Sequence, residues 1–229
     1  MDDLNLLRLI QLADSALPIG STAHSFGLET LVDDGVVTVA QLADFLRDQI
    51  CETGTLEAAY CRAAHALVDS DSFASGWLRL NMRLDAIKTS RESRAASASL
   101  GRRFLQLARD LTAAPLVDEA LKIAKLHGAG IHYCAAFGLV GGVLRVERRV
   151  TALAYLNQAA AGTVSAFQRL LPLGQTAASQ LQWQLKAAMI QAVSRAEALG
   201  DVTEAAAFSA MIEVASARHP ALTTRLFIN

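Results

Sequence analysis

Proline is scarce in this sequence: the 229 residues contain four, Pro18, Pro115, Pro172 and Pro220, so little stands in the way of long helices. Aromatic residues make up only 6% of the chain. The three cysteines, Cys51, Cys61 and Cys134, are odd in number and far apart, which fits a reducing cytosol better than a disulfide framework. A net charge of −1 argues against a general nucleic-acid binder. The most apolar window, Ile131 to Leu144, is 14 residues long. A membrane span needs about 20, so a buried helix is expected there. Asp2 and Asp3 stand where a secretory leader would need positive charge. Alternation of apolar and polar residues, the mark of strands, is nearly absent.

The familiar chemical signatures are missing too. There is no CxxC and no GxSxG elbow, and the loop Gly20-Ser21-Thr22 has no lysine to bind phosphate. Asp14, Ser15, Ser21 and His24 are close in sequence, whereas hydrolytic triads are assembled from distant positions. His127 and His132, five apart, fall on different sides of a helix, although Gly128 and Gly130 between them can bend the chain. His132 with Cys134 is a short pair of possible metal ligands, set beside an apolar run that points to core packing. No catalytic set is expected, which favours a binding or scaffolding role.

Hydrophobic residues are 52% of the chain, and alanine is conspicuous among them. Small side chains let helices approach closely, so the expectation is an all-α fold. So much apolar surface also points to a partner or to self-association. Helical periodicity predicts about ten helices, at roughly 3–14, 23–34, 39–53, 55–69, 73–88, 90–112, 116–127, 131–145, 149–171 and 174–198, with another at 202–215. Thr38 reads as a start and Gly54 as a stop; Asp201 or Thr203 can cap the last helix. Gly138 and Gly142, four apart, give their helix a bare face for close contact. A single helical domain over 1–218 is expected, followed by a tail at 219–229 that has no helical period.

The strongest internal break is Leu170-Leu171-Pro172-Leu173-Gly174-Gln175-Thr176-Ala177. Pro172 must end one helix, Gly174 can adopt a backbone other residues avoid, and Gln175 and Thr176 can bond the N–H groups opening the next. By itself this is a helix–helix corner. Charge is also uneven. Residues 1–60 carry ten acids against Arg8 and Arg47, a balance of −8, and residues 79–109 carry eight bases against Asp85 and Glu92, a balance of +6. Either these stretches face each other, or they are docking surfaces for charged partners.

Four segments, in order, resemble the UreF family of urease accessory proteins. Leu12-Ala13-Asp14-Ser15-Ala16-Leu17-Pro18-Ile19-Gly20 with His24-Ser25-Phe26-Gly27-Leu28-Glu29 is similar to that family's opening. Arg91-Glu92-Ser93-Arg94 leading to Leu100-Gly101 resembles its middle helix. Pro172-Leu173-Gly174-Gln175-Thr176-Ala177 matches its corner. Ala215-Ser216-Ala217-Arg218-His219 with Thr224-Arg225-Leu226-Phe227 resembles its close. The departures are His24 in place of tyrosine, Arg169 in place of lysine, Pro220 in place of an acid, and Ile228-Asn229 at the end.

The resemblance implies an all-helical, non-enzymatic protein of the cytoplasm that aids nickel insertion into urease. It implies a complex with UreD (also called UreH), recruitment and regulation of the GTPase UreG, contact with the urease apoenzyme through that complex, and a homodimer. No tightly bound cofactor is implied, since nickel is handled by the assembled complex. Glu29, Arg169 and Gln175 become candidates for the UreG-facing or regulatory contact. Their plainer readings are an exposed helix acid, a cation favouring a helix C-terminus, and a residue holding the corner in shape. Arg218, His219, Arg225, Leu226 and Phe227 become candidates for binding UreD. Leu226 and Phe227 are expected to lie on a mobile tail that cannot bury them alone. A partner groove would supply about 2–3 kcal/mol for each. Gly20, Gly27, Pro172 and Gly174 are expected to shape the backbone. The alternatives are a diverged helical adaptor with other partners and a weak metal-binding helical protein.

Overall fold

A computed structural model describes residues 2–21, 24–207 and 209–228. Met1, Thr22, Ala23, Phe208 and Asn229 lie outside the described residues; they fall at the expected domain start, in the loop at 20–22, in the expected helices 23–34 and 202–215, and at the end of the tail. The described chain is all α, and no strand occurs among the described residues. Its helices are α1 (Asp3–Leu12), α2 (Leu28–Asp33), α3 (Leu42–Gln49), α4 (Thr55–Ala66), α5 (Phe73–Ile87), α6 (Arg91–Thr112), α7 (Pro115–Leu126), α8 (Tyr133–Val143), α9 (Arg148–Leu170), α10 (Gln175–Gln184), α11 (Lys186–Ala198) and α12 (Ala210–Arg218).

The helix α8 is the axis of the fold. Every residue from Tyr133 to Gly142 is buried, as its unbroken apolar sequence requires. It packs on α4, α6 and α9. Its glycines make that contact close: a Cβ on Gly138 would collide with the Cys61 carbonyl on α4, and one on Gly142 would crowd Val68 and the His65 carbonyl. Gly101 on α6 likewise lies against the Ile131 carbonyl. Phe104, Tyr133, Phe137 and Tyr155 form a cluster of rings between these helices, Phe104 stacked on Phe137 and the others meeting edge-on or tilted.

All four prolines sit at breaks. Pro115 opens α7, and Leu171, extended before Pro172, ends α9. Several boundaries differ from the periodicity. The helix expected from 23 begins at Leu28, after the turn at Phe26 and Gly27, and Thr38 does not start α3, which begins at Leu42 with Gln41 at its N-cap. Gly54 does not stop a helix: at φ −63° it carries a π-turn, Ile50–Gly54, straight from α3 into α4. Gly54 is buried there against Leu156 and Ile50, and the turn packs on α11. The expected helix 174–198 is bent at Leu185, which ends α10 and starts α11 while remaining buried. Between 202 and 215, Asp201 caps only a short 3-10 turn, Val202–Glu204, and α12 begins at Ala210. After α12, His219–Ala221 make another 3-10 turn and the chain runs on without helix.

Candidate functional site

The two ends of the chain meet at α2. Phe26 (φ 52°) and Gly27 (φ 86°) are both left-handed, and this tight turn points the first turn of α2 inward. Gly27 is needed twice over, because a Cβ there would lie 2.7 Å from the Ser216 nitrogen on α12. Glu29, two residues on, is therefore buried: its side chain is 7% exposed.

Its carboxylate binds the C-terminal segment. Oε1 accepts the Leu226 N–H at 2.6 Å and Oε2 accepts the Phe227 N–H at 3.2 Å. Oε2 also lies 2.9 Å from Nε2 of His219, a fully buried ring. The other ring nitrogen, Nδ1, lies 3.0 Å from Oε2 of Glu92 on α6. A second seam runs alongside. The Ser216 hydroxyl bonds those of Ser90 (2.8 Å) and Ser93 (2.7 Å), and Glu213 accepts from the Thr89 hydroxyl (2.6 Å) and the Ser90 N–H (2.7 Å). These contacts tie α12 to the start of α6.

Arg169, in the last turn of α9, covers the segment from the other side. Its guanidinium sits 4.1 Å from the centroid of the Phe227 ring and donates to the Leu226 carbonyl at 3.4 Å. The position also suits a cation, being the C-terminal end of a long helix. Three residues later Pro172 turns the chain, and Gly174, Gln175 and Thr176 stand exposed at the start of α10.

These positions revise several expectations. Glu29 is not an exposed helix acid; it has almost no surface to offer and acts by holding the C-terminal segment. Phe227 is buried at 5% exposure within its own chain, because Glu29 satisfies its N–H and Arg169 caps its ring. Leu226 and Ile228, on either side, are 58% and 69% exposed. His219 is interior and not available as a surface contact. Arg218 is engaged on the surface with Asp34, at 2.6 and 3.2 Å, and Arg225 is exposed. Gly20 uses its freedom at φ 82° against the Arg103 side chain, but Gly174 does not, having φ −70° and nothing near its missing Cβ. Gly174 is itself the N-cap of α10 and has no side chain to cap with.

Glu92, Ser93 and Ser216 belong to this site and were not singled out as site residues. The signal was present, since each lies inside one of the four recognised segments. Residues from all four segments, or within three positions of them, gather here: Glu29; Glu92 and Ser93; Arg169 before the corner; and Ser216, His219, Leu226 and Phe227.

The two charged stretches meet in one ion pair among the described residues, Lys88 Nζ to Glu57 Oε1 at 2.9 Å. Burial would lower the Lys88 ammonium, but Glu57, with Cys134 and Glu213, raises it overall. Tyr155 donates to the other oxygen of Glu57 at 2.8 Å. Arg94 bonds the Lys88 carbonyl, whereas Arg91, Arg102 and Arg109 stay exposed.

The histidine pair does not converge: His127 is exposed at the end of α7 and His132 is buried. Its Nδ1 is 3.1 Å from the Ser97 hydroxyl, and its backbone N–H donates to Asn81. Burial, then Lys88 and Arg94, push its pKa down to about 3, against the pull of the Asp85 carboxylate 3.4 Å from Nε2. Burial also pushes the Cys134 thiol up. Among the described residues no group of three or more His, Cys, Asp or Glu is placed to hold a metal ion, and no helix is long and apolar enough to cross a membrane.

Comparison with known proteins places the chain among urease accessory proteins. The UreF family model matches residues 36–186. The urease accessory protein UreF of Geobacillus kaustophilus (strain HTA426) is 31% identical over 100% of both chains. That of Nostoc sp. (strain PCC 7120) is 32% identical over 99% of this chain and 97% of its own. That of Lachnoclostridium phytofermentans is 30% identical over 99% and 100%. The full-length matches extend over Glu29 and the C-terminal segment, which the family model leaves outside.

Proposed function

The chain belongs to the UreF family, and from that membership we propose that it is a urease accessory protein acting as a scaffold, without catalysis of its own. In this reading it works in the cytoplasm, binds UreD, recruits the GTPase UreG and influences its turnover. Nickel is handled by the assembled complex and delivered to the urease apoenzyme. No cofactor stays bound to this chain.

The observation that carries the reading is the gathering, at one corner, of residues from three of the recognised segments with Arg169, which lies just before the fourth. There the exposed Leu226 and Ile228 flank a buried Phe227, beside Arg225 and under Arg169. A partner covering Leu226 and Ile228 would gain about 1–2 kcal/mol from each. Because Glu29 already holds the segment, less ordering entropy opposes that gain than for a free tail. UreD is the partner assigned to this corner, with UreG meeting the side that carries Arg169 and Gln175. Self-association is assigned to α10 and α11. Trp183 (79% exposed) and Ile190 (51%) stand there beside a cleft of about 330 Å³ lined by Leu181, Leu185 and Ala188.

The test is co-purification of the chain with UreD and UreG from its own organism, with mass read by light scattering. A complex containing all three is expected. Failure to form it, in a host whose urease is active, would mean that the fold has been kept while the partners have changed.

A further inference from the structure

Helix α6 buries one face and leaves the opposite one uncovered. Ala96, Leu100, Phe104 and Ala108 recur at helical spacing and are buried. Arg91, Arg102 and Arg109 are exposed. At about 100° per residue these three fall within about 20° of one line, on the far side of the helix from Leu100 and Phe104. The line is roughly 27 Å long. The small side chains of Ala95 and Ala98 lie along it between Arg91 and Arg102. The acids of the same helix leave it positive: Glu92 is turned to His219 at 3.0 Å, and Asp110 pairs with Arg109 at 2.8 Å. Arg94 and Arg103 are used within the chain, on the carbonyls of Lys88 and Ile19. Among the described residues neither Arg91 nor Arg102 has an ion pair, and the acidic N-terminal stretch reaches the basic one only through Glu57 and Lys88. The stripe begins at the C-terminal corner, since Glu92, next to Arg91, touches the His219 ring that Glu29 also holds. We infer, resting on the docking role proposed for that corner, that the exposed face of α6 continues the docking surface and takes an acidic helix of the protein that covers Leu226 and Ile228.

The chemistry of the stripe selects that occupant. A guanidinium fork matches a carboxylate with two parallel hydrogen bonds, so each arginine suits an aspartate or glutamate. The alanines between them let a second helix come close. The arginines stand roughly 16 and 10 Å apart along the axis, distances that whole helical turns of a partner can meet. A nucleic-acid strand carries a charge about every 3.4 Å, for which three arginines over this length are sparse. The apolar Leu226 and Ile228 at the same end also call for apolar cover, which a protein supplies and a phosphate backbone does not. Exposed charges of this kind act chiefly on the rate and orientation of encounter, while the apolar corner sets how long the complex lasts.

The test is the association rate of the full chain with UreD, measured at several salt concentrations between about 0.05 and about 0.3 M. The unmodified chain should associate more slowly as salt rises. Reversing the stripe with Arg91→Glu, Arg102→Glu and Arg109→Glu should slow association by about tenfold at the lowest salt and abolish the salt dependence. Arg91→Gln with Arg102→Gln, which disturbs the helix less, should give an intermediate loss. Reversing Arg145, Arg148 and Arg195, exposed on other parts of the chain, changes the net charge equally and should cost much less. An equal loss from that control overturns the inference, as does a rate that neither salt nor the stripe variants alter. Displacement of UreD from the stripe by a short DNA duplex at about 0.15 M salt would assign the face to nucleic acid and overturn it as well. Absence of any binding by the unmodified chain is a distinct result: it removes the docking corner itself, and the stripe's role with it.

Discussion

The backbone N–H of Leu226 donates to Oε1 of Glu29 at 2.6 Å, joining residues 197 positions apart. The Phe227 N–H and the His219 ring reach the other oxygen of the same carboxylate. One buried acid thus closes the chain on itself.

Replacing Glu29 by alanine leaves two amide groups and an imidazole without that acceptor. A buried donor without a partner costs about 1–3 kcal/mol. The segment can escape part of this by detaching, so Glu29→Ala should lower stability by about 2 kcal/mol and speed tryptic cleavage after Arg225. Denaturant unfolding and a timed digest measure the two effects; an unchanged digest would show that Glu29 does not hold the segment.

Arg169 lies over Phe227 and bonds the Leu226 carbonyl. A cation over an aromatic face contributes about 0.5–1 kcal/mol at exposed sites. Arg169→Ala should therefore loosen the segment less than Glu29→Ala does. Arg169→Lys should retain most of the cation–π contact while losing the fork that reaches the carbonyl. The same digest ranks the three variants, and an Arg169→Ala more labile than Glu29→Ala would reverse the assignment.

Two glycines separate packing from turn chemistry. A methyl group on Gly138 would strike the Cys61 carbonyl, so Gly138→Ala should cost about 1–3 kcal/mol or more in thermal or denaturant unfolding. At Gly174, with φ −70° and open space around it, Gly174→Ser adds an N-cap oxygen and should change stability by only a few tenths of a kcal/mol, upward. Equal losses at both would contradict the close approach of α4 and α8.

Acid should weaken the fold through His132. Its folded pKa of about 3 lies below the ordinary value of 6.5, so the unfolded chain binds more protons between the two. This contribution is present above about pH 6.5 and is lost on acidification, by at most about 1.4 kcal/mol per pH unit. His65, also lowered by burial, adds in the same direction. Denaturant melts at about pH 7.5 and about pH 5 should show a smaller acid loss for His132→Gln than for the unmodified chain. An equal loss would place the titrating group elsewhere.

The helical architecture was legible because its signals are local. Four prolines mark breaks, apolar positions recur at helical spacing, and the small residues Gly138 and Gly142 mark the tight face of α8. The continuity of α3 into α4 was not legible, because Gly54 favours a break and the packing of this turn against α9 and α11 comes from residues far along the chain. The bend at Leu185 was hidden because its flanking residues keep the same buried period on both sides. At the site, motif resemblance selected Glu29, Arg169, His219 and Phe227, yet nothing local could say that they meet. Glu29 reads as a surface acid until the N–H groups of Leu226 and Phe227 are placed on it. The extended C-terminal segment reads as a free tail until Arg169 covers Phe227.

The central claim is that the C-terminal corner, held by Glu29, is a docking surface. Leu226→Asp with Ile228→Asp changes the exposed side chains and leaves Phe227, His219 and Glu29 in place. The most direct measurement is the light-scattering mass of the chain mixed with UreD, for the unmodified protein and for this double variant. The account predicts a complex for the first and separate components for the second, with amide exchange confirming that the segment remains docked. Equal complex formation by both would contradict it.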